Sequence, residues 1–496
     1  MKLVFYPYSM KETFKNKNKE KFQNSSKTLV LYCFHQYNER VEYFINNVIF
    51  KDNNVDFYII CNDMSLKLSD LPVKIPNYVK TLNRENIGYD FGAWSDALLT
   101  NNYYKNYDNF IMCNSSIIGP FLPPNYTKKW TDIYLDGLSS SIKLFGSTIN
   151  TCGWGSCDIN STPHVQSYIF CVNKETLEYL IKTKIFSMDE YSQTFKDCII
   201  FKEVGMSRKI IDNGWNIGSL LKYYKDVDFR FIDKKPTDYN IDFLDDVMYK
   251  KFYDKKLWTI SEIVFPKGNR DIPINDMILE YISSNKKGLE LGGPSGTGIT
   301  IYKNASIMDN VIFSTKTMWS KHETSEYKYY ENKIGKVIIS DATKIDIPSK
   351  SYDFIFASHI LEHIANPLKA LKNWINIIKD NGYIVLILPE KSQTFDHKRS
   401  ISLFSTLLKQ YNNNVGEDDM STLPEILENH DLSRDLPAGD IDQFKKRSMD
   451  NFNNRGLHHY VYNEALLKEI CIYLKCKYIY SYVEGINIWF MMQKQI

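Results

Sequence analysis

The feature that most constrains the fold is an alternation of strand-like and helix-like segments, which occurs twice along the chain. Short apolar runs, TLVLYCF (28–34), VDFYIIC (55–61) and NFIMC (109–113), are separated by segments with helical spacing. A second alternation begins near residue 274, with strand-like KGLELGG, GKVIISDA, YDFIFAS and GYIVLILP and an amphipathic helix, NPLKALKNWINIIKD. Such alternation favours βαβ units and a mostly parallel sheet. The sequence therefore predicts two α/β domains.

The length of the chain agrees with two domains, because 496 residues exceed one ordinary hydrophobic core. Residues 234–273 mix charged and aromatic residues with prolines, which places the boundary near 271. We therefore expect one domain over 28–271 and another over 272–496. Residues 1–27 are rich in Lys, Asn and Ser and predict a solvated basic arm.

Charge and hydropathy exclude several classes of partner. The chain has 61 Lys and Arg against 59 Asp and Glu, so net charge gives no support to a nucleic-acid or anionic-membrane partner. No apolar run approaches the roughly 20 residues of a membrane span. The nine cysteines are scattered singly and predict reduced thiols. We expect a soluble cytoplasmic protein.

A glycine-rich turn follows a strand in GLELGGPSGTG (288–298). Its glycines let the backbone pass close to a ligand without Cβ clashes. Glu290 lies at the end of the strand, where its carboxylate can accept from a bound amine or hydroxyl. Asp309 follows 19 residues later, at the expected end of a second strand, where an acid can hold ribose hydroxyls. The turn alone fits a dinucleotide, a phosphate or no ligand.

Together with SDATKIDIPSKSYDFIFASHILEHIANPLKAL (340–371), these segments resemble the class I S-adenosylmethionine-dependent methyltransferases, specifically the type 11 group, over residues 274–395. The resemblance implies a Rossmann-like fold and S-adenosylmethionine as cofactor. It implies that the glycine turn and its acid cradle methionine, that Asp309 holds ribose, and that Asp341 and Ala342 meet adenine. The usual GxGxG reads GGPSGTG here. The implied cofactor-binding residues are Glu290, Gly292, Gly293, Gly296, Asp309, Asp341, Ala342, Ser358 and His359.

Methyl transfer to a hydroxyl needs a base, or a metal that lowers the pKa of the hydroxyl. The segments TFDHKR (394–399) and RGLHHYVYN (455–463) supply histidines, whose near-neutral pKa suits this role. We expect His458 or His397 to act as the base. The alternative is that each of these histidines is structural or faces solvent.

In the first half, NFIMCNSSIIGP (109–120) is an apolar strand that ends at Asn114, Ser115 and Ser116. Ligands bind at the carboxyl ends of strands in open α/β sheets, so we expect this triplet to hold a substrate. TLNRENIGYDFGAWSDAL (81–98) precedes it and places Asn86, Gly88 and Asp90 in one turn before a helix.

Three downstream segments, HVQSYIF (164–170), FKEVGMSRKIIDNGWNIGSLL (201–221) and SEIVFPKGNR (261–270), extend this pattern. Together these segments resemble the rhamnan-synthesis-type glycosyltransferases over residues 28–270. The resemblance implies a GT-A fold, a nucleotide-sugar donor and a glycan acceptor. Similar domains are fused to methyltransferases in glycosylation enzymes of large DNA viruses, for which the expected location becomes the host cytoplasm.

In GT-A enzymes the strand that here ends at Asn114 normally finishes in Asp-x-Asp, which binds Mg²⁺ or Mn²⁺ against the leaving diphosphate. Neutral amide and hydroxyl oxygens replace that acid pair here. Two possibilities follow. Asn114, helped by Asp90 or Asp63, can still hold a metal, or Lys267 and Arg270 can neutralise the diphosphate.

An inverting sugar transfer also needs a base for the acceptor hydroxyl. The resemblance places Glu203 in this role, with Asp189 and Glu190 as alternatives; a helix N-terminal Glu without a catalytic role is the competing interpretation. The residues expected to bind the nucleotide-sugar are Asp63, Asn86, Gly88, Asp90, Asn114, Ser115, Ser116, His164, Lys267 and Arg270.

The combined prediction is a bifunctional enzyme. The first domain transfers a sugar, such as rhamnose or another deoxysugar, from a nucleotide-sugar to a glycan, and the second O-methylates a sugar hydroxyl. Covalent fusion raises the effective concentration of one product at the next site. The alternative is a methyltransferase whose first domain is an inactive glycan-binding module.

Overall fold

The computed structural model describes residues 26–123, 126–152, 158–316 and 325–495. The predicted basic arm, except for its last two residues, lies outside this part of the chain. The described residues form two mixed α/β halves, each built on its own large sheet. This confirms the α/β fold class.

The first half contains nine strands and eight helices within the described ranges. The strands are β1 (Thr28–Phe34), β2 (Val55–Cys61), β3 (Lys80–Asn83), β4 (Asn109–Asn114), β5 (Ile142–Gly146), β6 (Ile149–Asn150), β7 (His164–Val165), β8 (Ile169–Asn173) and β9 (Asn216–Ser219). The helices are α1 (Glu39–Tyr43), α2 (Tyr89–Leu99), α3 (Trp130–Leu135), α4 (Lys174–Lys182), α5 (Phe195–Asp197), α6 (Gly205–Asp212), α7 (Lys250–Asp254) and α8 (Ile260–Ile263). π-Helical segments at Phe44–Val48 and Cys198–Val204 extend α1 and join α5 to α6.

The strand order of the seven-stranded sheet is β3-β2-β1-β4-β8-β5-β9. Strands β1 to β4 are parallel to one another, whereas β8 runs antiparallel to both β4 and β5. β1 is buried along its whole length, which explains its unbroken apolar sequence. The carboxyl ends of β1, β2 and β4 therefore meet at one edge of the sheet, where the predicted substrate residues follow.

The second half contains eight helices and eight strands within the described ranges. The helices are α9 (Ile274–Ser283), α10 (Ile299–Asn304), α11 (Pro367–Ile377), α12 (Phe404–Asn412), α13 (Leu423–Asn429), α14 (Ile441–Met449), α15 (Asn451–Asn454) and α16 (Glu464–Tyr473). The strands are β10 (Lys287–Leu291), β11 (Ile307–Ile312), β12 (Glu326–Tyr330), β13 (Lys333–Ile339), β14 (Tyr352–Ser358), β15 (Ile378–Pro389), β16 (Cys476–Glu484) and β17 (Asn487–Lys494). Short 3₁₀ turns include Gly296–Gly298 and Leu361–His363.

The second sheet has the order β12-β13-β11-β10-β14-β15-β17-β16. Its five central strands, β13, β11, β10, β14 and β15, are parallel, and β17 pairs antiparallel with β15. This is a Rossmann-like arrangement, as predicted for the second domain. The carboxyl ends of its parallel strands form the edge where a cofactor is expected.

Helix α11 shows how the sequence fixes one element of this half. Pro367 opens the helix, and the Asn366 side chain accepts from the Lys369 amide at 3.2 Å, which caps the first turn. Leu368, Leu371 and Trp374 recur at helical spacing and are fully buried. The helix ends at Ile377, three residues earlier than the amphipathic pattern indicates, because β15 starts at Ile378.

The two halves pack directly on each other. Tyr281 of α9 lies with its ring centroid 5.6 Å from that of Phe121, and its hydroxyl donates to the Leu122 carbonyl at 3.1 Å. Lys468 of α16 lies 3.5 Å from Glu42 of α1. A continuous set of buried apolar side chains runs from the first sheet to the second.

Among the described residues, seven cysteines are free thiols and Cys152 is disulfide-bonded. The prediction that all thiols are reduced is therefore wrong at Cys152. Among the described residues, no helix has both the length and the apolar surface needed to cross a bilayer.

Candidate active sites

The site of the first half begins with a loop that Arg84 fixes to the sheet edge. The guanidinium donates to Asn62 Oδ1 at 2.9 Å, to the Ile87 carbonyl at 2.7 Å and to Asp96 Oδ2 at 2.6 Å. Gly88 then starts α2 at a φ of +72°, where a Cβ would lie 2.8 Å from Tyr191 Cδ1. Glycine fits both the conformation and the space. The sequence analysis missed Arg84, because a single Arg before a turn carries no pattern.

After this loop, Asp90 lies in the first turn of α2 and contacts Asn114 at the carboxyl end of β4. Asp90 Oδ2 accepts from Asn114 Nδ2 at 2.7 Å, and Oδ1 accepts from Cys33 Sγ at 3.2 Å. Asn114 Oδ1 in turn accepts from the Ser116 amide at 3.0 Å. Burial raises the pKa of Asp90, although the two donors oppose that effect. The structure thus brings three of the predicted residues into one hydrogen-bonded cluster.

Lys267 joins the same edge through the backbone. The Gly268 amide donates to the Ser116 carbonyl at 2.7 Å, and the Ile118 amide donates to the Pro266 carbonyl at 3.0 Å. Burial lowers the pKa of Lys267, while the charges of Glu203 and Asp246 act in the opposite direction. Lys267 is therefore a partly buried lysine that interacts electrostatically with nearby acidic groups.

Glu203 lies in the π-helical segment before α6, opposite β7. Its Oε2 accepts from the Ser167 hydroxyl, and its Oε1 lies 3.4 Å from His164 Nε2. His164 Nδ1 contacts the Thr162 carbonyl at 2.7 Å, so Nδ1 is the donor. Burial acts to raise the pKa of Glu203, but His164 and the charge of Lys267 outweigh burial and lower it to about 2. Glu203 is thus an ionised carboxylate within the site.

The remaining predicted residues of this half lie outside the hydrogen-bonded cluster of Asp90, Asn114 and Ser116. Asp63 is half-buried and accepts from the Ser65 amide at 2.8 Å, and Asn86 is exposed in the loop. Arg270 Nε binds Asp246 Oδ2 at 3.0 Å, which already balances its charge. The Ser115 carbonyl accepts from Arg40 Nε at 2.7 Å, a cation that the sequence analysis did not include.

The predicted metal pair does not fit a divalent ion well. Both oxygens of Asp90 and the side-chain oxygen of Asn114 accept hydrogen bonds from the protein. A hard cation prefers carboxylate oxygens that are free to turn toward it. We therefore derive no step through a metal at Asn114 and Asp90.

The second half contains a cavity of about 930 Å³ at the carboxyl ends of its parallel strands. Of the predicted residues, the cavity is lined by Gly292, Gly293, Asp341, Ala342, Ser358, His359 and His458. Glu290, Gly296, Asp309 and His397 do not line it.

Glu290 lies behind the glycine turn. It is fully buried and accepts from the Tyr302 hydroxyl at 2.8 Å, from the Ser295 amide at 3.3 Å and from the Tyr327 hydroxyl. Burial raises its pKa to about 8, against the effect of these donors. Gly293 has a φ of +76°, and a Cβ there would lie 2.2 Å from Glu290 Oε1. Glu290 thus holds the turn from within, instead of facing the cavity as expected.

Asp309 lies inside β11 and does not line the cavity, where the resemblance placed an acid that holds ribose. Its Oδ2 accepts from the Tyr352 hydroxyl at 2.7 Å, and its Oδ1 accepts from the Lys336 amide at 2.9 Å. The strand continues to Ile312, and Phe313 lines the cavity where the ribose-binding acid was expected. The spacing from Glu290 placed the acid too early in the strand.

Asp341 and Ser358 stand at the cavity wall as predicted. Asp341 Oδ1 accepts from the Thr343 amide at 2.8 Å, and its Oδ2 lies 3.3 Å from an Arg455 nitrogen. Burial acts to raise the pKa of Asp341, but Thr343 and the Arg455 charge lower it overall. The Ser295 hydroxyl donates to that of Ser358 at 3.0 Å, which ties the glycine turn to the end of β14.

The structure distinguishes the two candidate histidine bases. His458 lines the cavity, and its Nδ1 lies 2.6 Å from Asp396 Oδ2. Arg399 binds the other Asp396 oxygen at 3.0 Å. His397 instead pairs with Asp431 at 2.7 Å, outside the cavity lining. A His–Asp pair fixes the tautomer and leaves Nε2 of His458 as the reactive nitrogen.

The segment SHILEH (358–363) is expected to line the cofactor pocket, but the sequence analysis assigned no individual role to Glu362 and His363. Both line the cavity and lie in the 3₁₀ turn that follows β14. They belong to the SHILEH segment, whose first two residues alone were assigned. The signal was available, since a Glu-His pair directly after a strand end is a chemically reactive pattern.

Two family models match this chain, one over its first part and one over its second. The family model described as rhamnan synthesis protein F matches residues 17–285, more than half of the 496 residues. The chain belongs to the rhamnan synthesis protein F family. A second model, described as a methyltransferase domain, matches residues 273–439. This family member therefore carries a methyltransferase domain, with S-adenosylmethionine as the cofactor, and both predicted resemblances are confirmed at this level.

Several solved structures are similar to the methyltransferase part. An S-adenosylmethionine-dependent methyltransferase of Methanosarcina mazei is 12% identical and aligns over 45% of this chain and 98% of its own, with a TM-score of 0.28. One from Mesorhizobium loti is 11% identical over 43% of this chain and 93% of its own, also with a TM-score of 0.28. No curated relative matches the chain.

Proposed function

We propose that this chain is a bifunctional glycan-modifying enzyme. A GT-A-like first domain transfers a sugar, such as rhamnose or another deoxysugar, from a nucleotide-sugar to a glycan, and the second O-methylates a sugar hydroxyl. The observation that supports both activities is the placement of ionisable residues at the carboxyl edge of each sheet, where α/β folds bind ligands. Family membership supports a glycan-related role for the first domain.

In the first domain, we assign Lys267 to the diphosphate of the donor. Lys267 is partly buried and interacts electrostatically with Glu203 and Asp90, and the amide of the next residue, Gly268, donates to the Ser116 carbonyl. A cation at this point stabilises the leaving diphosphate as negative charge develops on it. Asn114, Ser115 and Ser116 then orient the donor by hydrogen bonds.

Glu203 is the base in this proposal. A carboxylate with a pKa of about 2 is a weak base when the site is free. The charge of Lys267 contributes to that low value, and an anionic donor that pairs with Lys267 removes part of this contribution. The pKa of Glu203 therefore rises toward its ordinary value once the donor is bound, which couples donor binding to acceptor activation.

In the second domain, the cavity fits S-adenosylmethionine. Two glycines with φ near +76° allow a close backbone approach, and Asp341 offers a carboxylate at the wall. The cofactor supplies an electrophilic methyl group when bound. His458, oriented by Asp396, is the residue that we propose activates the acceptor hydroxyl.

Calorimetric titration of UDP and TDP into the full chain, with Mn²⁺ and again with EDTA, tests the first activity. We expect binding of one nucleoside diphosphate in both conditions, and loss of that binding in Lys267→Met. If neither nucleotide binds in either condition, the first domain is not a transferase for these donors, and the glycan-presenting module becomes the better description.

Titration of S-adenosylmethionine into the same protein tests the second activity. We expect saturable binding that Asp341→Ala weakens. His397→Ala is the matched control, because His397 lies outside the cavity lining and should leave the affinity unchanged. Equal weakening by both substitutions would contradict the assignment of this cavity to the cofactor.

A further inference from the structure

Three side chains in the methyltransferase cavity form a cluster with metal-ligand chemistry. Glu362, His363 and His458 each offer one ligand atom, and these atoms all lie within 4.8 Å of one another. Glu362 and His363 come from the turn after β14, whereas His458 comes from the segment before α16. All three line the cavity. The fold therefore brings together ligands that are about 95 residues apart in sequence.

Glu362 is the least expected member of this cluster. The residue is 1% exposed, yet neither carboxylate oxygen has a hydrogen-bond partner among the described residues. The ring nitrogen Nδ1 of His359 lies 3.6 Å from Oε1, beyond hydrogen-bond range. A buried carboxylate without hydrogen bonds is costly unless a partner balances its charge. His359 is at ion-pair distance only, whereas a cation bound at this point would contact the carboxylate directly.

The two histidines are placed so that each can offer a ring nitrogen to a metal ion. The ring centroids of His363 and His458 lie 4.6 Å apart with an interplanar angle of 81°, so the two imidazoles are neighbours in the cavity lining. His458 Nδ1 contacts Asp396 at 2.6 Å, which leaves Nε2 as the ligating atom. Asp396 is itself held by Arg399 at 3.0 Å. A carboxylate behind a histidine is the usual support for a metal-binding imidazole.

We propose that Glu362, His363 and His458 bind a Zn²⁺ ion that activates the acceptor hydroxyl. Two imidazoles and one carboxylate are a donor set of catalytic zinc sites, which keep a further position open for a substrate oxygen. Ligand atoms around a tetrahedral zinc lie about 3.4 Å apart, so binding draws these side chains together by roughly 1 Å. The open position faces the cavity that the cofactor would share.

This inference rests on the proposed methyltransferase function and says how His458 acts in it. The ion lowers the pKa of the acceptor hydroxyl, whose proton is released to solvent. A C–O bond then forms to the methyl carbon as its C–S bond breaks, and the sulfonium electron pair returns to sulfur. Without the ion, His458 would have to take the proton itself.

Calorimetric titration of ZnCl₂ into the metal-stripped full chain tests the proposal. We expect one equivalent to bind, and Co²⁺ to bind at the same stoichiometry with visible absorption typical of low coordination number. Glu362→Gln and His458→Ala should each abolish this binding, and Asp396→Asn should weaken it about 10- to 100-fold. His397→Ala is the control, because it removes a histidine that is also paired with an aspartate but lies outside the cavity lining.

Circular dichroism of each variant shows whether it folds, and S-adenosylmethionine binding is measured in parallel. Absence of Zn²⁺ binding, or equal binding by wild type and both ligand variants, overturns the metal site. If the cofactor still binds and methyl transfer continues without metal, the proposed function survives and His458 is a free base. If Zn²⁺ binds through Glu362 but the cofactor does not bind, the metal site stands and the methyltransferase assignment fails.

Discussion

The two sheets carry their site residues at the same topological place, but the two sites balance their charges differently. In the first, Asp90 and Glu203 accept hydrogen bonds from their neighbours, and Lys267 supplies a cation beside them. In the second, Glu362 is buried with no hydrogen-bond partner among the described residues. Acids whose charge is balanced inside the protein suit transient binding of an anionic donor. Glu362 instead has only a long ion pair, with His359 Nδ1 at 3.6 Å, so a bound cation would balance its charge more closely.

The difference also concerns shape. The glycine turn and the strand ends of the second sheet enclose a cavity of about 930 Å³, which is large enough for a nucleoside cofactor and an acceptor group. The first site is an edge formed by loops, with Asp63 half-buried and Asn86 exposed to solvent. A site formed by loops in this way encloses its ligand less than a cavity does. Four experiments test whether the two halves differ in these ways.

The largest effect is expected for Glu203→Gln. This variant keeps the shape but removes the carboxylate that His164 and Ser167 contact, so sugar transfer should fall about 10²- to 10⁴-fold. Methyl transfer to a preformed acceptor should not change. Release of nucleoside diphosphate measures the first activity. Glu190→Gln is the matched control, since its side chain is 60% exposed; loss of activity in that variant alone would move the base to Glu190.

The next largest effect is a pH dependence of stability that arises from Glu290. Burial raises its pKa to about 8, above the ordinary value of 4.5 that applies to the unfolded chain. The stability that the buried acid contributes is therefore complete below pH 4.5 and is lost as pH rises through about 8. Between pH about 5 and about 9, the free energy of unfolding should fall by a few kcal/mol more in wild type than in Glu290→Gln.

Urea unfolding of both proteins at each pH measures this difference, and subtraction removes the titration of every other group. Parallel pH profiles for the two proteins would show that Glu290 is ionised in the folded state. In that case Glu290 would be an ionised acid stabilised by its hydrogen-bond donors, as Glu203 is in the first site. The two sites would then differ less in how they balance charge.

The sequence predicted some of these features well, for physical reasons that differ between elements. β1 and β2 were located to the residue, because each is an apolar run buried on both faces and bounded by polar residues. Asp341 and Ser358 were found because they follow strands of the same sheet. Asp309 was misplaced, since its burial depends on Tyr352, 43 residues away, and spacing carries no sign of that contact.

The cluster of Glu362, His363 and His458 shows the same limit of sequence spacing, because here spacing failed to reveal residues that do lie together. The pattern identified His458 as a histidine in a polar segment, but nothing in its neighbours indicated the partner 96 residues earlier at Glu362. Long-range juxtaposition is a property of the fold, whereas strand ends are a property of the local sequence. Site residues on loops after α11 were therefore the least predictable.

A smaller effect is expected for Gly293→Ala. The added Cβ would lie 2.2 Å from Glu290 Oε1 at a φ of +76°, so the glycine turn must shift and cofactor affinity should weaken about tenfold. Gly214→Ala is the matched control: it has a φ of +79° but open space around the Cβ position. Gly214→Ala should lose about 1 kcal/mol of stability from its positive φ alone, and Gly293→Ala should lose more because of the clash. Calorimetry should show weaker S-adenosylmethionine binding only in Gly293→Ala.

The smallest effect is expected at the contact between the two halves. Lys468 and Glu42 lie 3.5 Å apart with 30% of each side chain exposed, and a partly exposed pair contributes only about 0–1 kcal/mol. Tyr281, in contrast, is packed against Phe121 and donates to the Leu122 carbonyl at 3.1 Å. Tyr281→Phe should cost about 1 kcal/mol and Lys468→Met less, as measured by the midpoint of thermal unfolding. A larger loss for Lys468→Met would mean that the ion pair contributes more to the contact between the two halves than the hydrogen bond of the Tyr281 hydroxyl does.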